Sequence, residues 1–191
     1  SIHAMLATGL VDNAGDFFDF VSALESGDAP GCTELDFEER RRIRGGRVYR
    51  CDLTSSHRHS TLLAPSGQDV EEDDTIQVDY WVHDHASSLG TVILLHGFAM
   101  GWPVIDAVAL KAKEWFERGF DVVMLTLPDH GPRRPEGRVF SGQNYTVPHA
   151  VLLAAAVRQA VHEIFELKRW LREQSDKPVG LVGMSLGGYL A

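Results

Sequence analysis

Three short apolar runs constrain this chain more than any other feature: Thr91–Leu95 (TVILL), Val122–Leu125 (VVML) and Val179–Val182 (VGLV). Each is apolar on both faces of an extended backbone, the pattern of parallel strands covered by helices on both sides. The segments between them carry the helical period. From Pro103 to Arg118, apolar residues fall at Ile105, Val108, Ala112 and Trp115, and Gly119 supplies a C-terminal stop. From about Pro148 to Glu173, the residues Leu153, Val157, Ala160, Ile164, Leu167 and Leu171 make one continuous stripe. Strand, helix, strand, helix, strand predicts an α/β fold with a mostly parallel sheet flanked by helices.

Upstream, Val48–Leu53 reads as a strand and residues 66–74 as a Gly- and acid-rich loop. Ile76 to Val82 alternates as a half-buried strand, with Ile76, Val78, Tyr80 and Val82 on one face. Residues 1–47 differ in character and read as an N-terminal extension, helical or irregular, ahead of a core spanning 48–191. Phe17, Phe18, Phe20, Val21 and Leu24 suggest a short amphipathic helix. The charged stretch Glu38–Arg44 reads as a solvated helix face, with a partner-docking surface as the alternative.

Composition narrows the function. A chain of 191 residues with 44% hydrophobic content supports one domain with a buried core. The formal charge of -9, from 27 acidic against 18 basic residues, repels phosphate backbones and excludes nucleic acid as the expected partner. No apolar run is long enough for a transmembrane helix. Cys32 and Cys51 form no CxxC motif. The N-terminal residues lack the charged and apolar regions of a signal peptide, so a cytoplasmic location is the expectation.

The chemistry concentrates in three loops that follow the apolar strands. Gly183-Met184-Ser185-Leu186-Gly187 is a G-x-S-x-G between a strand and a helix start, the setting of a nucleophile elbow. Bulky side chains two places either side of the serine would clash in so tight a turn, hence Gly183 and Gly187. Ser185 then stands exposed at a helix N-terminus. His96-Gly97-Phe98-Ala99 follows Thr91–Leu95. There the backbone turns sharply and presents the N–H of Phe98, which with the N–H of Leu186 would form an oxyanion hole. The His96 side chain reads as a loop anchor. Leu127-Pro128-Asp129-His130-Gly131 follows the second run. Asp129 and His130 read as loop-shaping residues rather than triad partners, because a triad needs its acid behind the histidine, away from the serine.

With these motifs in place the chain resembles the α/β-hydrolase superfamily: HGF after one strand, DHG after the next and GMSLGG at the elbow. PDHGPRRPEG, the long helix and GMSLGGYLA are similar to bacterial esterase-type and dienelactone-hydrolase-like members. The resemblance covers residues 48–191. It implies Ser185 as nucleophile, Phe98 and Leu186 as oxyanion donors, and the Thr91 strand beside the Val179 strand. It also implies a small-molecule acyl substrate and no cofactor or metal. The family's acid and histidine follow the nucleophile in sequence, and Ala191 comes six residues after Ser185. Both are therefore expected beyond this chain, which reads as the N-terminal portion of a longer hydrolase.

Two alternatives stay open: peptidase or acyltransferase chemistry on the same serine, and a non-catalytic binding protein of hydrolase fold. The pairs His57/His59 and His83/His85 each put two histidines on one face of a strand, a weak metal-binding pattern. His149 and His162 read as surface residues of the long helix, and Trp102 as a residue bordering the pocket. Arg133, Arg134 and Arg138 form a basic cluster that reads as a solvated loop, with a site for a substrate carboxylate as the alternative.

Overall fold

A computed structural model describes residues 33–56, 75–84, 88–137, 139–146 and 150–191. Six strands form one mixed sheet: β1 (Thr33–Ile43), β2 (Gly46–Thr54), β3 (Thr75–His83), β4 (Thr91–Leu95), β5 (Asp121–Leu125) and β6 (Val179–Gly183). Their spatial order is β1-β2-β3-β5-β4-β6. β1, β2 and β3 form an antiparallel meander, β3 pairs antiparallel with β5, and β4 pairs parallel with both β5 and β6. The three apolar runs are thus the parallel strands, and the Thr91 strand lies beside the Val179 strand. Leu95 is in register with both Leu125 and Gly183, so the loops after β4, β5 and β6 leave the same sheet edge. That convergence places the three chemical motifs side by side.

Alternation along the central strands divides the core in two. Ile93, Leu95, Val123 and Leu125 pack on one face against Ala160, Ile164, Leu167 and Trp170 of the long helix α3 (Ala150–Gln174). Val92, Leu94, Val122 and Met124 face the other way, toward Leu110, Ala112 and Phe116. β4 and β5 are buried throughout, whereas β6, with β4 as its one neighbour in the described sheet, is half-exposed.

Several expectations are corrected. The charged stretch Glu38–Arg44 does not form a helix face: Thr33–Ile43 is a strand paired with β2. Blocks of charge have no period of their own, so the long pairing with β2 decides the backbone. The charges suit an edge strand, where they oppose sheet-to-sheet association. Arg40 bonds Glu38 at 2.8 Å, and the Arg41 guanidinium lies 5.1 Å from the Trp81 ring centroid.

The single helix expected from Pro103 to Arg118 is two, α1 (Pro103–Ala109) and α2 (Ala112–Glu117). Lys111, at φ 56°, breaks the path and rotates the second helix relative to the first stripe. Leu110, Ala112 and Phe116 are buried, but Ile105 and Val108 are 58% and 78% exposed. The inward residue of α1 is Asp106, whose carboxylate accepts the Gly101 N–H at 3.1 Å. The amphipathic segment at Phe17–Leu24, the loop at 66–74 and the histidines His57, His59, His85 and His149 lie outside the described residues.

Candidate active site

The elbow follows directly from its glycines. β6 ends at Gly183 and the short helix α4 (Leu186–Leu190) begins three residues later, with Ser185 between them at φ 52°, ψ -113°. A non-glycine residue pays a steric cost in such a conformation, which persists only where the surroundings enforce it. A methyl group on Gly183 would collide with the Gly187 carbonyl, and one on Gly187 with the carbonyls of Leu95 and His96. The turn is therefore wedged against the end of β4. Met184 N–H donates to the Leu95 carbonyl at 3.1 Å. Ser185 itself is exposed, and Leu186 is the first residue of α4, where a helical N–H has no acceptor within the helix.

The loop after β4 lies against this turn. A methyl group on Gly97 would sit 3.5 Å from the Met184 carbonyl oxygen and from its Cε. Phe98 is 38% exposed, in a turn closed by the Met100 N–H on the Gly97 carbonyl at 3.3 Å. Its ring meets Phe140 edge-on at 6.2 Å between centroids. Trp102, at the start of α1, is 48% exposed, and Met184 is 37% exposed.

His96 is buried and ties this loop to the next. Its Nε2 accepts the Leu127 N–H at 3.0 Å, so Nε2 carries no proton. Its Nδ1 is then the protonated nitrogen and donates to the Gly97 carbonyl at 2.8 Å. Burial pushes the His96 pKa down to about 4, aided by nearby His130 and Arg133 and opposed by the bond to Gly97, so the ring is neutral at physiological pH.

The DHG loop packs on the other side of that ring. Asp129 adopts φ 62°. His130 is fully buried, its Nδ1 is 2.8 Å from the Pro128 carbonyl, and burial lowers its pKa. Its ring stands edge-on to His96 at 4.9 Å and meets Tyr145 at 5.1 Å. A methyl group on Gly101 would lie 2.8 Å from Gly131 N, so the two loops touch backbone to backbone.

The basic cluster is not a solvated loop throughout. Arg133 is buried and bonds Glu163 of α3 in two-pronged fashion at 2.7 and 2.8 Å, and it also donates to the Thr126 carbonyl at 2.8 Å. Arg134 is exposed, and Arg138 lies outside the described residues. His162 is likewise buried rather than on the surface: its Nε2 is 3.0 Å from Ser56 Oγ, and Glu166 accepts from Ser55 Oγ and from the Ser56 N–H. Burial pushes Glu166 up, but bonds from His162 and Ser56 outweigh it and leave the carboxyl below its ordinary range. Sequence reasoning missed this set. The available signal was the spacing of Gln159, His162, Glu163 and Glu166, a polar stripe at helical period beside the apolar one.

His83 bonds Asp121 at 2.8 Å and stacks on Phe116 at 3.8 Å, at the opposite sheet edge from the elbow. Among the described residues no group of three His, Cys, Asp or Glu side chains is placed to hold a metal ion. No helix among them is long and apolar enough to cross a membrane.

A strand order of 1-2-3-5-4-6, a glycine-flanked serine at a strained strand-to-helix turn and a histidine-glycine loop beside it define an α/β-hydrolase-type domain. The chain belongs to the alpha/beta hydrolase family, whose model matches residues 92–191. It is 37% identical over 105 residues to an uncharacterized protein of Mycobacterium tuberculosis, an alignment covering 52% of this chain and 24% of that protein. Among solved structures it is similar to acetyl xylan esterase 1 from Thermoanaerobacterium sp. JW/SL YS485, with a TM-score of 0.62 and 16% identity over 92% of this chain and 52% of that one. It is also similar to a cold-adapted esterase from an Arctic intertidal metagenomic library, with a TM-score of 0.55 and 16% identity over 80% and 57% of the two chains. The chain thus spans about half the length of these esterases and about a quarter of the mycobacterial relative.

Proposed function

We propose that this chain carries the nucleophile and oxyanion site of a serine hydrolase that cleaves carboxylic esters. The observation that carries this reading is the backbone of Ser185, held at φ 52°, ψ -113° between two glycines that admit no side chain. Strain of this kind persists where a function needs the hydroxyl presented. Ser185 Oγ attacks the ester carbonyl carbon and its proton passes to a histidine. The carbonyl oxygen takes the negative charge, held by the N–H groups of Phe98 and Leu186. Collapse expels the alcohol with that proton, and water then releases the acid from the acyl-serine. The histidine and its acid, which follow the serine in the family's chain order, are assigned to residues outside these 191.

The exposed apolar side chains of these loops support an uncharged, apolar acyl group as the substrate part held here. Met184 precedes Ser185 in the chain, Phe98 lies in the loop after β4 with its ring against Phe140, and Trp102 is exposed at the start of α1, while the guanidinium of Arg133 pairs with Glu163. The esterases of similar fold are consistent with ester chemistry.

A fluorophosphonate probe on the full-length natural protein tests the reading. Labelling at Ser185, lost in Ser185→Ala together with hydrolysis of p-nitrophenyl butyrate, is expected. No labelling in folded protein would favour a non-catalytic binding role. Transfer to an added alcohol in preference to water would favour an acyltransferase.

A further inference from the structure

Two backbone peptides and three side chains form an uninterrupted series of hydrogen bonds from α3 to the oxyanion loop. Glu163 holds Arg133 by two bonds, and Arg133 Nη1 donates to the Thr126 carbonyl at 2.8 Å. The same peptide, on its other side, carries the Leu127 N–H, which donates to His96 Nε2 at 3.0 Å. His96 Nδ1 donates to the Gly97 carbonyl at 2.8 Å. That peptide in turn carries, on its other side, the N–H of Phe98. Both peptides are trans, so each accepts on one side and donates on the opposite one.

We propose that Arg133 and His96 are positioning residues that aim and polarise the Phe98 N–H, through the Thr126–Leu127 and Gly97–Phe98 peptides, toward the oxyanion of the reaction. This rests on the serine-hydrolase reading of the same site. All donors in the series point the same way, from the guanidinium toward the substrate. Hydrogen bonds in such a chain strengthen one another, and a charged donor at its head strengthens the first. The imidazole is the necessary link because it accepts at one nitrogen and donates at the other. The Gly97 carbonyl is fixed a second time by the Met100 N–H, so the peptide plane has little freedom to rotate. Oxyanion donors act by being aimed before the charge develops, and this arrangement supplies that aim from residues that touch no substrate. Glu163 is the anchor: its two bonds hold the buried guanidinium beneath Thr126.

The test uses the full-length natural protein at pH 7 and two readouts. The first is nitrogen NMR of the histidine rings and amides. The expected result is a neutral His96 with its proton on Nδ1, and in Arg133→Met an upfield move of the Leu127 amide proton together with the His96 Nδ1 proton. The second is ester kinetics. Arg133→Met is expected to lower kcat about tenfold with KM changed less than about twofold, because an interaction made only in the transition state is weakened. His96→Asn, which keeps a donor at the Nδ1 position, is expected to retain more kcat than His96→Gln, which keeps only the Nε2 position. Arg133→Lys keeps one charged donor and serves in the same measurements where Arg133→Met does not fold.

A wild-type His96 protonated on Nε2 overturns the proposal. So does an Arg133 variant that shifts Leu127 but leaves the His96 proton and kcat unchanged, which would make Arg133 a packing residue alone. If the wild-type protein neither labels nor hydrolyses esters, the functional reading fails, and the NMR result still decides the hydrogen-bond series.

Discussion

The ring of His96 accepts the Leu127 N–H at one nitrogen and donates to the Gly97 carbonyl from the other, joining the loops after β5 and β4. The ring must be neutral to do this. Its pKa falls to about 4 in the fold against 6.5 for the free side chain, because burial disfavours the charged form. In the unfolded chain the ring therefore takes up a proton between pH 6.5 and 4 while the folded one does not. The stabilisation is fully present above pH 6.5 and is lost as pH falls toward 4, by about 3 kcal/mol. Asp106 works in the opposite direction, since burial raises its pKa to about 6 and folding then favours its protonated form. The check is therefore a difference: urea unfolding of wild type and His96→Gln at pH 7 and pH 4, with the wild-type advantage expected to shrink by about that amount.

Ser185 stores backbone strain at φ 52°, ψ -113°. Ser185→Gly removes both the hydroxyl and the penalty for a side chain in that conformation. It is expected to be more stable than Ser185→Ala by about 1 kcal/mol, measured by thermal unfolding, with both variants losing probe labelling.

Gly187→Ala forces a methyl group into the carbonyls of Leu95 and His96 at the end of β4. Backbone on both sides leaves no flexible atom to give way. A loss of about 3 kcal/mol or more is expected by chemical denaturation. Gly180→Ala meets nothing within 4 Å and serves as the control, with an expected change within about 0.5 kcal/mol.

Arg133 and Glu163 form a pair that is almost wholly removed from solvent, with side chains 3% and 0% exposed. Glu163→Ala removes both bonds from that carboxylate to the buried guanidinium, and a loss of about 3–5 kcal/mol is expected. Replacing both, as Arg133→Met with Glu163→Leu, is expected to cost less than Glu163→Ala alone. Denaturation of the two variants and wild type in parallel reads this out.

Ile105 and Val108 face solvent although their spacing is that of a core stripe. Ile105→Ser is expected to change stability by less than about 0.5 kcal/mol, whereas Phe116→Ala, which empties a buried position, is expected to cost about 3–5 kcal/mol.

The sheet's parallel centre was legible in the sequence because a strand buried on both faces has to be apolar at every position, as Thr91–Leu95 and Val122–Leu125 are. The need for Gly183 in the serine turn was legible because its collision with the Gly187 carbonyl lies within five consecutive residues, whereas Gly187 is required by the distant carbonyls of Leu95 and His96. Local sterics and burial leave their mark on neighbouring letters. Other features depend on residues far apart in the chain and leave no such mark. The charged segment around Glu38–Arg44 became a strand because β2 was there to pair with it. The positive φ at Lys111 turned Ile105 and Val108 outward and Asp106 inward. Arg133 met Glu163 across 30 residues, and Ser56 met His162 across 106. The sequence by itself determined which strands fill the core and where the serine turn lies. Only the tertiary structure decided which polar side chains are buried together, because a buried charge is tolerated only where a distant partner arrives to neutralise it.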